Sequence, residues 1–248
     1  MFETLVLAAA AFGAGVLNTV AGGGTFLTFP ALVYAGLPVV AANATSTVAV
    51  FPGYLAGAFG FRRELAAMER PALLRTALAS AAGGLIGSLL LLVSSNAAFS
   101  AVVPFLLMLA TLVFAFGDRV QAWARAHRLG FMQGPLGTVL VSVYGGYFNG
   151  GLGIVLLALF ALQGMRDMNG MNGLKMGLSF LLSLVSVATF AVAGLVAWPE
   201  AAVMMAASTA GGYLGAPLAR ALPRAAVRGV VIAVGAAMSA IFLARLWG

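Results

Sequence analysis

Apolar segments separated by short polar or glycine-rich connections follow one another along almost the whole chain. Ten such segments can be assigned, and they cover residues 4–21, 25–36, 41–61, 72–93, 98–117, 131–149, 151–165, 172–197, 200–218 and 226–246. Most of them approach the length of about 20 helical residues that crosses the hydrocarbon core of a bilayer. The pattern therefore predicts an all-α polytopic membrane protein with about 8–10 transmembrane segments.

Composition supports the membrane assignment and changes how the charge is interpreted. Of the 248 residues, 62% are hydrophobic and 8% are charged, whereas a soluble domain has about 25% charged residues. The net charge of +7 is also compatible with nucleic-acid binding, but the arginines lie in the connections between apolar segments. Cytoplasmic loops of membrane proteins have this arginine enrichment. We therefore expect the lipid bilayer as a partner and no nucleic acid.

The two halves of the chain resemble each other. The sequence AGGLIG at Gly83 returns as AGGYLG at Gly211, 128 positions later, and Pro71 and Pro199 have the same separation. We interpret this as an internal duplication. The predicted organisation is repeat 1 at residues 1–117, a cytoplasmic linker at 118–130 and repeat 2 at 131–248, all in one membrane domain.

The number of segments predicts that the second repeat is inverted. Each half contains five apolar segments, and an odd number turns the second copy over in the membrane, as in many secondary transporters. Alternating crossings place twelve of the thirteen basic residues on one side, and only Arg245 falls opposite, with Glu3 and Glu200. The basic side is cytoplasmic by the positive-inside rule, so both termini are predicted to lie outside.

Segments 25–36 and 151–165 are too short to span a bilayer. Twelve helical residues reach about 18 Å, compared with a hydrocarbon core of about 30 Å. Each short segment follows a glycine-rich turn, which predicts two re-entrant-like hairpins that enter from opposite faces and meet near the midplane. Short, glycine-interrupted segments in matching positions of two halves are typical of a transport site.

Polar residues beside these hairpins form the candidate binding site. The residues that we expect to bind solute are Asn18, Gly22, Gly23, Gly24, Thr25, Asn43, Thr45, Ser46, Asn149, Gly150, Gly151, Asn172 and Lys175. Asparagine and hydroxyl side chains donate hydrogen bonds without a fixed charge, and a glycine turn at a helix start offers backbone N–H groups to an anion. Close helix packing explains the glycines equally well, and capping of broken helices explains the asparagines.

Lys175 is the only lysine of the chain and lies three residues after Asn172. Two interpretations remain open. The lysine is either an interfacial residue whose stem snorkels to the membrane surface, or a ligand of the anion inside the bundle.

The acidic residues and the single histidine limit the chemistry. All six Asp and Glu residues fall in connections or at segment ends, whereas a cation site would need one inside a span. We expect neither a metal nor another cofactor. His127 lies in the central polar connection without an intramembrane partner, so no nucleophile–base arrangement is visible and we do not expect an enzyme.

Several stretches together resemble a known family. They are NTVAGGGTFLTFPAL and GLPVVAANATS in the first half, and GYFNGGLGI, NGLK, AVAGLVAWPEA and AGGYLGAPLARALP in the second. Over nearly its whole length the chain resembles the sulfite exporter (TauE/SafE-type) permeases, also called the toluene-sulfonate uptake permease family. The resemblance implies transport of small sulfur-containing or organic anions such as sulfite or sulfonates. The chain departs from the family pattern at Ile154, where many members continue with glycine, and at Gly173-Leu174, which replaces a small residue and a threonine.

These observations lead to one expectation and two alternatives. We expect a permease or exporter for a small anion in the cell inner (plasma) membrane, working by alternating access around the two hairpins. A passive anion channel that uses the same residues, and a membrane enzyme or assembly factor, are the alternatives. The sequence leaves the solute, the direction, the coupling ion and the oligomeric state open, with a homodimer among the options.

Overall fold

The computed structural model describes the chain except for residues 1, 21–22, 127–131, 222–223 and 248. All regular elements of the described residues are helices. Their bounds are α1 Phe2–Val20, α2 Thr25–Tyr34, α3 Val39–Gly60, α4 Arg62–Ala66, α5 Arg70–Val93, α6 Asn96–Ala115, α7 Gly117–Ala126, α8 Pro135–Tyr147, α9 Leu152–Leu162, α10 Met168–Val192, α11 Trp198–Ala221 and α12 Arg224–Trp247.

Each of the ten predicted apolar segments overlaps one of these helices over most of its length. Two further helices lie in the connections. The short α4 occupies the connection after α3, and α7 occupies much of the stretch that we expected to be a polar linker. The sequence of α7, GDRVQAWARA, is amphipathic, so one face of this helix packs against α9. The linker is therefore partly helical.

The lengths of the helices separate spanning helices from short ones. Among the described residues, four helical stretches are long and apolar enough to cross a membrane, namely Val39–Gly60, Arg70–Val93, Asn96–Val113 and Met168–Val192. By contrast, α2 has 10 residues and α9 has 11. At 1.5 Å per residue each short helix reaches only about 15–17 Å. The protein is therefore an all-helical membrane protein in which two helices cover about half of a bilayer core.

The helices of the two halves pack on each other in a reciprocal manner. Helix α1 lies along α11, and α8 lies along α5. The first apolar helix of each half therefore packs on the fourth apolar helix of the other half. Helices α3 and α10 pack together near the middle of this arrangement, and α6 packs on α12.

Glycines allow the two reciprocal pairs to approach closely. A Cβ atom at Gly83 would collide with the carbonyl of Val139 in α8, and one at Gly211 would collide with the carbonyl of Phe12 in α1. Small residues at a helix interface permit such backbone contact in membrane bundles. The first glycine of each AGGxxG motif therefore serves close helix packing.

Aromatic rings fill the core between the short helix α2 and its neighbours. The Phe29 ring lies 5.8 Å from the Phe148 ring, edge to face, and 5.8 Å from the Phe242 ring, stacked on it. Phe99 meets Phe29 edge to face at 6.4 Å. The cluster joins α2, α6, α12 and the turn between α8 and α9, so the short helices are held inside the bundle.

Candidate functional site

The turn between α1 and α2 is closed by an asparagine side chain. Asn18 Oδ1 accepts a hydrogen bond from the Gly24 backbone N–H at 2.8 Å, and both groups are buried. The first turn of α2 continues with the Phe26 N–H bonded to the Gly23 carbonyl at 3.1 Å. The candidate Gly22 lies outside the described residues. Asn18 therefore bridges six residues and fixes where α2 begins.

The turn between α8 and α9 is closed by a different side chain. Here the Tyr144 hydroxyl donates to the Gly150 carbonyl, again across six residues. Asn149 has φ 59° and Gly151 has φ 68°, so the turn uses the left-handed region twice. Asparagine and glycine are the residues that adopt this region most readily. The Asn149 side chain is thus not needed to close its turn.

The Asn149 amide is buried without a partner. The residue is 1% exposed, and neither Nδ2 nor Oδ1 has a hydrogen-bond partner among the described residues. A buried polar group without a partner costs about 1–3 kcal/mol. Since Asn149 lies two residues before the N-cap of α9, its amide is next to a helix end that favours negative charge.

The starts of the two short helices meet inside the bundle. A Cβ atom at Gly151 would lie 3.3 Å from Cε2 of Phe26 and 2.9 Å from Cβ of Ala110. The Phe26 ring, in the first turn of α2, therefore lies directly against the N-cap of α9. The two glycine-rich turns are neighbours in space although about 125 residues separate them in sequence.

Asn43 connects the first half to the turn of the second half. Its Nδ2 donates to the Tyr147 carbonyl at 2.9 Å, at the end of α8. Asn43 is 1% exposed, and its Oδ1 has no partner among the described residues. The structure therefore brings Asn43 beside the turn that contains Asn149 and Gly150.

Three hydroxyl-bearing candidates have protein partners. The Ser46 and Thr28 hydroxyls are 2.6 Å apart and join α3 to α2, and the Thr25 side chain bonds to Tyr54 of α3. Thr45 Oγ1 accepts from the Ala197 N–H at 3.0 Å, in the connection between α10 and α11. These bonds fasten α3 to its neighbours.

Lys175 lies in the interior, two helical turns from the start of α10. The residue is 3% exposed, and its Nζ donates to Asn172 Oδ1 at 3.0 Å. The cap of α10 is Asp167, whose carboxylate accepts from two backbone N–H groups. Among the described residues, Asn172 is the partner that the structure gives to the lysine ammonium.

Sequence reasoning missed three serines on the same side of α10. Ser179, Ser183 and Ser186 are each at most 1% exposed, and none of their hydroxyls has a partner among the described residues. At about 100° per residue, Lys175 and these serines lie within an arc of about 80°. We call Ser179, Ser183 and Ser186 the serine face. Its spacing within an otherwise apolar segment was the signal that could have identified it.

Two cavities of the described residues lie away from these side chains. One of about 200 Å³ is lined by Arg75 and Gln163 near the starts of α5 and α8. Another of about 190 Å³ is lined by Glu3 and Glu200 near the starts of α1 and α11. Neither cavity is lined by the candidate asparagines.

Comparison with known proteins gives a consistent result. The family model of the sulfite exporters TauE/SafE matches residues 7–242. A probable membrane transporter protein of Haemophilus influenzae is 30% identical over 240 residues, which cover 95% of this chain and 92% of that protein. A probable membrane transporter protein, ORF9, of Sinorhizobium sp. is 26% identical over 246 residues, covering 96% of this chain and 94% of that protein. No solved structure gives a significant match.

Proposed function

Because this chain belongs to the TauE/SafE sulfite exporter family of membrane transporters, we propose that it moves a small anion, sulfite or an organic sulfonate, across the membrane by alternating access. The observation that carries the site assignment is the buried, unpartnered amide of Asn149 before α9. Nδ2 of this amide would donate to an oxyanion oxygen, and the N-terminal end of α9 would favour its charge.

The neighbouring candidates complete the anion site. Asn43 and Gly150 lie at the same turn as Asn149, and Gly23, Gly24 and Thr25 lie at the opposing start of α2. Neutral donors hold an oxyanion without the desolvation cost that a buried ion pair carries. An anion held in this way can be released when the helices move, which transport requires.

Lys175 supplies a positive charge in a second part of the candidate site, two turns from the start of α10. A snorkelling lysine carries its ammonium to the surface, whereas Lys175 is 3% exposed inside the bundle. A lysine at the centre of a membrane helix costs about 2.5–3.5 kcal/mol on insertion scales. An anion beside the ammonium would offset part of this cost, and Asn172 would orient the ammonium toward it through the 3.0 Å bond.

The reciprocal packing supports an inverted-repeat mechanism. If residues 1–117 and 131–248 are inverted copies, α1 corresponds to α8 and α5 corresponds to α11. The contact of α1 with α11 then corresponds to the contact of α8 with α5, and both are present. In transporters of this plan, two related conformations of the repeats open the site to opposite sides. We propose the same here, with both termini outside and the basic connections in the cytoplasm.

Flux of radiolabelled sulfite into proteoliposomes tests the proposal. We expect saturable flux in the wild-type protein, loss of flux in Lys175→Ala and partial recovery in Lys175→Arg, because arginine keeps the charge but changes its shape. Arg166→Ala is the matched control, since it removes the same charge from an exposed position and should leave flux unchanged.

Three outcomes would contradict parts of the proposal. Wild-type flux in Lys175→Ala would assign the lysine to a role outside the site. Flux that rises linearly with sulfite and carries uncoupled current would identify a passive channel. Absence of flux for sulfite, sulfonates and other small anions would exclude transport of this class and favour an assembly role.

A further inference from the structure

The two halves differ in how the third apolar helix, α3 or α10, meets the short helix beside it, α2 or α9. In the first half, α3 bonds to α2 through Ser46 with Thr28 and through Tyr54 with Thr25. Helices α2 and α9 also end alike, because Gly36 and Gly164 have φ values of 87° and 86°. The 128 positions between these glycines set the register in which the two short helices can be compared.

In that register the second half lacks both threonines. Thr25 corresponds to Gly153, and Thr28 corresponds to Leu156, which is fully buried. Helix α9 therefore offers no hydroxyl to α10 at either position. The side chains of α10 that correspond to the bonded ones of α3 therefore cannot bond to a hydroxyl of α9 at these two positions.

The corresponding side chains of α10 are those of Lys175 and of Ser183, the middle residue of the serine face. Asn43 and Asn172 are 129 positions apart, and at that separation Ser46 corresponds to Lys175 and Tyr54 to Ser183. The place of the bulky, hydrogen-bonded Tyr54 in the first half is therefore taken in the second half by the small Ser183, whose hydroxyl has no partner among the described residues. The second half has both free hydroxyls and less side-chain volume along this line.

The serine face extends from the lysine toward the asparagines. From Lys175 to Ser186 the rise is about 16 Å at 1.5 Å per residue. One turn further, Phe190 lies on the same side of α10 and belongs to the apolar cluster that contains Phe148, the neighbour of Asn149. The line of hydroxyls thus runs from Lys175 toward the apolar cluster that includes Phe148.

We propose that the serine face is the path along which the anion moves between Lys175 and the pair Asn43 and Asn149. Hydroxyl groups at successive turns would replace the water around the oxyanion as it passes. The first half, whose hydroxyls are already bonded to each other, does not provide such a path. This inference rests on the proposed transport function and adds the residues of the path to it.

Substituted cysteines test the path, because the natural chain contains no cysteine. Ser179→Cys, Ser183→Cys and Ser186→Cys would be treated with sulfonatoethyl methanethiosulfonate, a small anionic sulfonate that reacts with thiols. The matched control is Leu178→Cys, since Leu178 is 2% exposed but lies outside the arc of the serine face and packs in the apolar cluster of α9 and α10. We expect the serine positions to react at least about tenfold faster than the control, which reacts only when packing opens.

A variant with all three serines changed to alanine provides a second measurement. Removal of hydroxyls that lack partners breaks no hydrogen bond, so this protein should melt at or above the wild-type temperature while its sulfite flux falls. Reaction no faster than at Leu178→Cys, or wild-type flux in the triple variant, would overturn the path. A different result is fast reaction of the cysteines at the serine positions together with no flux in the wild-type protein. That result would refute the transport function and would leave a water-accessible path.

Discussion

Asn18 and Asn149 occupy corresponding places in the two halves, and we predict that their removal has opposite consequences. Asn18→Ala leaves the Gly24 N–H buried without its 2.8 Å acceptor, which costs about 1–3 kcal/mol. Alanine is a better helix former than asparagine by about 0.5 kcal/mol, and Asn18 lies within α1. The net loss of unfolding free energy is therefore about 0.5–2.5 kcal/mol.

Asn149 should be replaced by glycine, because its φ of 59° would strain an alanine by about 1–2 kcal/mol. Asn149→Gly removes two buried atoms without partners and so recovers about 1–3 kcal/mol of desolvation. Glycine costs about 0.5–1 kcal/mol in backbone entropy. The unfolding free energy should therefore stay constant or rise by up to about 2.5 kcal/mol, while sulfite flux is lost.

Thermal unfolding in detergent and flux in proteoliposomes separate the two effects. For a chain of this size, 1 kcal/mol shifts the melting temperature by about 2–4 °C, so Asn18→Ala should melt about 1–10 °C lower. Its flux per folded molecule should change less than that of Asn149→Gly. If Asn149→Gly melts lower and keeps its flux, the Asn149 amide is a structural group and the site assignment is wrong.

Two further predictions concern packing and orientation. A Cβ atom at Gly15 would lie 2.6 Å from the Gly212 backbone nitrogen, whereas ordinary contact begins at 3.4 Å, so Gly15→Ala should lose about 1–3 kcal/mol through overpacking. Gly53→Ala, at a helix position with open space, should gain up to about 1 kcal/mol, and equal melting temperatures would contradict the packing argument. A membrane-impermeant thiol reagent added outside should label Ala97→Cys but neither Ala66→Cys nor Ala122→Cys, all three positions being exposed. Labelling of Ala122→Cys from outside would reverse the predicted orientation.

The positions of the apolar helices could be predicted because each is long, apolar and bounded by polar or glycine-rich residues. Helix α7 could not, since its sequence is polar and its helical conformation depends on packing against α9. The short helices α2 and α9 were predictable from their length and from the glycines at both ends. Their contact through Phe26 and Gly151 joins residues of different halves, which the sequence pattern only indicated.

The sequence allowed the members of the candidate site to be proposed, but it did not show their hydrogen bonds. Asn18 and Asn149 both precede a glycine-rich turn. In the structure the Tyr144 hydroxyl bonds to the Gly150 carbonyl, and the Asn149 amide has no hydrogen-bond partner among the described residues. The serine face was missed for a different reason. Hydroxyls in membrane helices commonly bond to the carbonyl four residues earlier, as Thr47 does to Asn43 and Thr189 to Val185. A sequence does not distinguish such bonded hydroxyls from unbonded ones.

The divergence of the two halves favours anion binding in the second. The bonds of Thr28 with Ser46 and of Thr25 with Tyr54 each contribute about 0.5–1.5 kcal/mol net. A solute that used these groups would first have to break their bonds. The Asn149 amide and the serine face have no such bonds among the described residues, so an anion that contacts them removes an existing desolvation penalty of about 1–3 kcal/mol for each group. The gain in binding free energy is therefore larger on the side of α9 and α10, although both halves present the same order of helices.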